Sequence, residues 1–378
     1  MKNPHVLVLM DWYDHPIRVG IGRFAAEKNW HLTVCDGCLL PRGWAGDGIL
    51  VLLNERTDII EYVRSQKVPC VDFGAYRLDI PLARVCGDHL MIGSTAADHF
   101  LERGFTQAAF FSTEAQRPQQ LRAEGFSRRL FEKTGRTPKS LVWATHPGTE
   151  KDDWQALNRW LKRELRALPK PLAVFCYCDY DAAKAETACL ECGYKIPDDV
   201  AILGVDNDAL VCENISVQIS SVRHNRIRVG YEGSALLDKL MRGGKQPAAP
   251  VLIPPCGVEL RASTDGFATS DPLVRSVVQF FRQNLNRSIG VVDAAAAVGM
   301  QPYKLEEHFS RVLGQTVYAT LTRLRLLEAR RLLTLTDLPV KEIGRQAGFC
   351  HAQHLSNAFK RAEHCTPLAY RRRERHQK

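Results

Sequence analysis

The chain has 378 residues, 45% hydrophobic and 25% charged, which suits two or three globular domains rather than a disordered or fibrous protein. Its net charge of +9 is unevenly held: residues 273–378 carry 18 Lys/Arg against 8 Asp/Glu, and residues 1–272 carry 33 against 34. No run of eighteen apolar residues occurs, so a membrane-spanning helix is not expected, and the basic C-terminal segment points to a polyanion partner, nucleic acid first.

The chain opens with one lysine and the short apolar run 5–10, flanked by Asp11 and Asp14. That run is too short and too acidic downstream for an export signal and reads as a buried strand. Twelve cysteines without such a signal suggest a reducing cytoplasm. Their two C-x-x-C spacings, Cys35/Cys38 and Cys189/Cys192, are not drawn together as a four-ligand zinc site requires. They read as packing, and no metal or cofactor is expected.

Up to about residue 265, apolar runs alternate with segments of helical period. Expected strands are 5–10, 31–35, 48–53, 70–73, 84–86, 108–112, 141–144, 173–177 and 201–205. Expected helices are 19–28, 57–65, 89–103, 122–134, 154–168, 181–192 and 226–241. The rhythm predicts parallel sheets covered by helices on both faces, and the number of strands suits two sheets, hence two lobes with a cleft between them. Ligands of such sheets bind beyond the carboxyl ends of the strands. The candidate ligand residues are therefore Asp11, Trp12, Tyr13 and Asp14 after the first strand, Asp88, Asp179 and Asp206 after later ones, and Arg122 at the start of a helix. Carboxylates and an arginine can bond sugar hydroxyls, and an aromatic face can cover C–H surface. An aspartate after a strand is as often a helix cap, and the recurrence rather than any single residue favours a site. No G-x-S-x-G, P-loop or H-E-x-x-H occurs, and Gly20-Ile21-Gly22 lies inside a helical pattern, so no enzyme activity is expected.

The stretches Val85-Cys86-Gly87-Asp88, Arg122-Ala123-Glu124-Gly125-Phe126, Ile196-Pro197-Asp198-Asp199-Val200-Ala201 and Gly204-Val205-Asp206-Asn207 carry a resemblance. With them, residues 5 to about 265 resemble the sugar-binding domain shared by LacI-type repressors and periplasmic sugar-binding proteins. The resemblance implies that Asp88, Arg122, Asp179 and Asp206 line a sugar cleft. Many relatives have Asn-Asp where this chain has Cys178-Asp179.

Residues 266–272 read as a linker, and 273–378 as wholly helical. Two segments echo each other: 291–300 followed by Leu305 and Phe309, and 340–349 followed by Leu355 and Phe359. Each is a short helix closed by glycine, then a second helix with apolar residues four apart, which is helix-turn-helix grammar. A helix over 316–335 would separate them rigidly. Arg325-Leu326-Leu327-Glu328-Ala329-Arg330, Ala347-Gly348-Phe349, His354-Leu355-Ser356-Asn357-Ala358-Phe359 and Thr366-Pro367-Leu368-Ala369-Tyr370 make this region similar to the AraC family of transcription regulators. The pairing of the two parts resembles the xylose operon regulator type.

The resemblance implies a two-lobed, type I periplasmic-binding-protein-like α/β sensor over 1–265, then an all-α AraC-type domain with two helix-turn-helix units. Each second helix would enter a major groove of an operator in double-stranded DNA. Tyr303, Lys304, Glu306 and Glu307 face it in the first unit. In the second, His351, Ala352, Gln353, His354 and Asn357 face bases, and Lys360 and Arg361 hold phosphates. Gln301 stands where the family usually has a serine cap and Glu307 where it has a basic residue, so the second unit is expected to dominate. Further expectations are a sugar effector, a pentose such as xylose first, a homodimer, activation of sugar-utilisation genes and contact with RNA polymerase.

Overall fold

A computed structural model describes residues 3–36, 40–145, 153–269, 271–363 and 365–376. Cys38, of the first C-x-x-C pair, lies outside them. Lobe 1 begins with β1 (His5–Met10), α1 (His15–Lys28), β2 (His31–Asp36), β3 (Gly48–Leu52), α2 (Thr57–Ser65), β4 (Cys70–Asp72) and β5 (Ala83–Gly87). Lobe 2 holds α3 (His89–Leu101), β6 (Ala108–Ser112), α4 (Arg117–Thr134), β7 (Lys139–Val142), α5 (Trp154–Ala167), β8 (Leu172–Cys176), α6 (Asp179–Glu191), β9 (Val200–Val205), α7 (Ala209–Glu213) and β10 (Ser220–Val222). The chain then returns to lobe 1 for α8 (Arg226–Met241) and β11 (Val251–Ile253), and crosses back for β12 (Val258–Glu259).

The two sheets have orders β11-β5-β4-β3-β1-β2 and β12-β10-β9-β8-β6-β7. All described pairings are parallel except β10 with β12. This is the expected two-sheet architecture. Each sheet is sandwiched: lobe 1 between α1/α8 on one face and α2 on the other, lobe 2 between α3/α4 and α5/α6. Strand interiors such as β3 and β8 are buried at every position, as parallel strands covered on both faces must be.

Helix pairs touch at glycines in both lobes. A Cβ on Gly20 would lie 2.0 Å from the Ile227 carbonyl of α8, and one on Gly93 would lie 2.1 Å from the Arg122 carbonyl of α4. Gly20 is thus a helix-packing residue, and Gly93 fixes the height at which α4 carries Arg122.

Several boundaries differ from expectation. Helix α1 starts at His15, four residues early, because Asp14 accepts from the Ile17 N–H and Pro16 suits the first turn. Helix α4 starts at Arg117 with Pro118 in its first turn, so Arg122 lies inside the helix rather than opening it. Asp179 is the first residue of α6, not part of the preceding loop. Strands β10, β11 and β12 were not expected; they are two or three residues long and lie at or beside sheet edges.

The C-terminal part comprises α9 (Pro272–Asn284), α10 (Val291–Ala297), α11 (Pro302–Leu313), α12 (Val317–Leu335), α13 (Val340–Gln346), α14 (Ala352–Glu363) and α15 (Pro367–His376). It has two cores. Val274, Phe281, Leu305, Phe309 and Leu321 build one, and Leu333, Ile343, Leu355, Phe359 and Tyr370 build the other. Gly299 (φ 65°) and Gly348 (φ 78°) take the left-handed turn that follows each first helix. Helix α12 spans both cores, as the expected separator should.

Candidate effector cleft and DNA-reading helices

Three crossovers join the lobes: Gly87–His89, 223–225 and 254–257. They are bonded to one another, with Asp88 N donating to the Ile253 carbonyl at 2.8 Å and Cys256 N to the Arg223 carbonyl at 2.8 Å. The carboxyl ends of both sheets converge here.

Arg122 sits at the centre, 2% exposed. Its Nε donates to His89 Nδ1 at 3.2 Å, its Nη1 donates to the Tyr177 carbonyl, and its guanidinium lies 4.5 Å from the Tyr177 ring centroid. Asp206, 22% exposed, lies 3.8 Å from Arg122 Nη2 and 3.2 Å from His224 Nδ1. Burial works against its charge, but Arg226, the His224 hydrogen bond and Arg122 outweigh it and hold the carboxyl below the ordinary range. Burial, with Arg122 beside it, pushes the His89 pKa well below its usual value, and burial lowers that of His224 despite its bond to Asp206. Burial thus disfavours the charged form of both imidazoles. His89 accepts the Arg122 Nε–H at a bare Nδ1, and His224 Nδ1 lies between the Asp206 carboxylate and, at 3.5 Å, Arg122 Nη2. His224 lies over Gly87, where a Cβ would sit 2.0 Å from Nε2.

Lobe 1 faces this group with aromatic rings. Tyr76 packs edge-on against Trp12 at 5.2 Å between centroids, and its hydroxyl is 3.1 Å from the Tyr177 hydroxyl across the cleft. Gln116 Nε2 donates to Glu55 Oε1 at 2.8 Å, a second bridge between the lobes. A polar cavity of about 470 Å³ opens at this mouth, lined by Asn54, Glu55, Tyr76, Arg77, Gln116 and Gln120 among others. Another, of about 570 Å³, lies on the flank of lobe 2 among α4, β7 and α5; no crossover residue lines either cavity.

The other expected ligand residues lie around this centre. Asp14 caps α1 and pairs with Arg226 at 3.0 Å. Asp88 caps α3 through the Met91 N–H at 2.9 Å. Asp11 is half-buried, its carboxylate turned to the Glu55 and Arg56 backbone. Tyr13 is exposed and packs on His15 and Arg18. Asp179 is 1% exposed and accepts from Ser221 Oγ at 2.6 Å and from the Asp208 N–H at 2.7 Å. Those bonds clamp the turn 206–208, in which Asp206 (φ 101°) and Asn207 (φ 57°) hold left-handed backbone. Asp179 thus aims Asp206. Tyr76, His89, Tyr177, His224 and Arg226 complete the site and were not among the expected residues.

The reader helices repeat at 50 residues. Leu305 and Phe309 of α11 and Leu355 and Phe359 of α14 are fully buried, and the residues between show the same alternation of exposure. Thr316 caps α12 through the Ala319 N–H at 3.0 Å, and Thr366 caps α15 through the Ala369 N–H at 3.1 Å. On α11, Tyr303, Lys304 and Glu307 are exposed, whereas Glu306 is half-buried and accepts from the Val317 N–H at 3.0 Å. Gln301 makes no side-chain cap bond. On the second unit His351, Gln353, His354, Asn357, Lys360 and Arg361 are exposed and Ala352 half-buried. Gln353 Nε2 donates to Asn357 Oδ1 at 2.9 Å, aligning the two amides on one face.

Residues 97–264 match the family of periplasmic binding protein-like domains, and 294–373 match a family of helix-turn-helix domains. The xylose operon regulatory protein of Escherichia coli K12 is 26% identical over 372 residues, 95% of this chain and 94% of that protein. Its counterpart in Haemophilus influenzae is 25% identical over 374 residues, 95% of each chain. This chain is similar to the xylose operon regulatory proteins over nearly its whole length. A solved xylose-binding transcription activator shares its fold, with a TM-score of 0.65 at 24% identity over 98% of both chains. A LacI-family regulator from Mycobacterium smegmatis matches the sensor part alone, with a TM-score of 0.56 at 21% identity, covering 68% of this chain and 98% of that one. Each of these similar proteins is named as a regulatory protein or a transcription regulator. Among the described residues no helix is long and apolar enough to cross a membrane.

Proposed function

We propose that the chain is a cytoplasmic, sugar-responsive transcription activator whose effector is a pentose, D-xylose first, and which acts as a homodimer on operator DNA. The observation that carries this reading is the junction of Arg122, Asp206 and His224 with Tyr76 and His89. Donors, acceptors and aromatic faces from both lobes meet there, beside the hinge. A polyol between them would gain bonds to both lobes only when the lobes close, which is the differential affinity that switching requires. Sensor 1–265, linker 266–272 and reader 273–378 are the working divisions of the chain. Contact with RNA polymerase would follow from activation. The likeness to xylose operon regulatory proteins over nearly the whole chain supports the pentose.

Calorimetric titration with D-xylose, L-arabinose and D-glucose tests it. D-Xylose is expected to bind tightest, and Asp206→Ala to abolish binding. An unchanged dissociation constant in that variant removes Asp206 from the site, and tighter hexose binding overturns the pentose.

A further inference from the structure

The reader domain meets lobe 2 over a built surface. Thr264 is fully buried; its Oγ1 lies 2.8 Å from His99 Nε2 and 2.7 Å from Ser220 Oγ, and its carbonyl accepts from Arg103 Nε at 3.1 Å. Ala268 N donates to the Arg103 carbonyl at 2.9 Å. Phe267 is 5% exposed, with the Arg323 guanidinium of α12 3.5 Å from its ring centroid. Arg323 Nη2 also donates to the Gly266 carbonyl at 3.2 Å, and a Cβ on Gly266 would come 2.7 Å from the Pro197 ring. Around this core, α9 pairs Arg282 with Asp198 at 3.6 Å and Arg275 with Asp199 at 3.5 Å. The Asp265 carboxyl is buried within the electrostatic reach of Arg282, Arg323 and Arg103.

Two elements run from this surface to the cleft. Helix α3 begins at His89, against Arg122, and ends beside Arg103, a span of about 20 Å at 1.5 Å per residue. Strand β10 begins at Ser220, against Thr264, and ends two residues before His224.

We propose that lobe 2 carries a docking surface for the reader domain, cored by Phe267 and Asp265 and rimmed by Asp198 and Asp199, and that effector-driven closure reaches the DNA through it. The segment 266–269 is then a bonded joint, and lobe 2 and the reader move as one body while lobe 1 swings. Coupling of this kind needs packed elements that contact both sites, which α3 and β10 supply. The second half of the proposal rests on the sugar-responsive reading above; the dock itself does not.

The test uses the full chain, Arg323→Ala and, as a surface substitution that spares the core, Asp198→Lys. Three quantities are measured: hydrogen exchange of the 262–269 amides, the dissociation constant for D-xylose, and the D-xylose-induced change in affinity for a duplex selected from a random pool by the wild-type chain. Arg323→Ala is expected to speed exchange at least tenfold, leave the D-xylose constant within twofold, and cut the induced change at least fivefold. Asp198→Lys should move all three the same way by less. Unchanged exchange in both variants overturns the dock. Faster exchange with a wild-type induced change overturns its role as the route to DNA. A wild-type chain that does not respond to D-xylose overturns the sugar reading and that route, while exchange still decides the dock.

Discussion

Asp179 and Asp206 meet at one turn, and their carboxyls are shifted in opposite directions. Burial, reinforced by the charge of Asp206, pushes the Asp179 carboxyl up to about 7. Its folded value lies above its unfolded one, so the folded chain keeps a proton that the unfolded chain has lost. The resulting stability is present in full below about pH 4 and is lost as pH rises towards 7, at up to about 1.4 kcal/mol per pH unit. Asp179→Asn cannot ionise and should flatten that part of the profile, read as urea midpoints at pH 5 and pH 7. Equal slopes in both chains would clear Asp179 as the source. The same residue marks a limit of strand-end reasoning. Asp14, Asp88 and Asp179 were all visible as aspartates after strands, yet the bonds that make two of them caps and the third a clamp depend on backbone positions that spacing does not report.

At the scale of elements, local pattern carried most of the information. The two reader units were legible because each core is built from residues close in sequence: a glycine turn, then apolar positions four apart. What spacing could not show is that Glu306 bonds the first turn of α12, so one of the four expected α11 residues is already engaged within the domain. Gln353→Ala and Asn357→Ala should each weaken operator binding by roughly 1–3 kcal/mol if a bidentate base contact is lost. Glu307→Ala on α11 should cost less, in gel shifts on the same duplex. A larger loss from Glu307→Ala would reverse the ranking of the two units. Strands β10, β11 and β12 escaped notice because two or three residues show no period. The same short strands bear on part of the candidate site. His224 and Arg226 follow β10, so the strand-end rule had no strand to attach them to, and Tyr177 was counted inside β8 by an expected end one residue too late.

At the scale of the molecule, charge is segregated but not all of it faces DNA. Arg275 and Arg282 pair with lobe 2, and Arg323 lies against Phe267, whereas Lys360 and Arg361 are exposed on α14. Operator affinity should therefore fall with salt on a log–log slope that Lys360→Ala reduces by about one unit and Arg282→Ala leaves unchanged. An equal drop for Arg282→Ala would put that side chain on a phosphate. The two-lobed build and the basic reader were readable from alternation and composition. The meeting of Tyr76, His89, Arg122, Tyr177 and His224 was not, because it depends on three crossovers that bring distant segments to one hinge.

Those crossovers also set an order of assembly during synthesis. Ile17, Ile21 and Phe24 of α1 are covered in part by α8, which begins roughly 200 residues later in the chain. At about 5–20 residues per second, the first half of lobe 1 leaves the ribosome about 10–40 s before its covering helix exists. For that interval the nascent chain carries an apolar helix face and an unpaired edge at β5, which β11 closes later still. Nascent lobe 1 is thus a natural client for chaperones, and truncations that end before α8 should partition into aggregates.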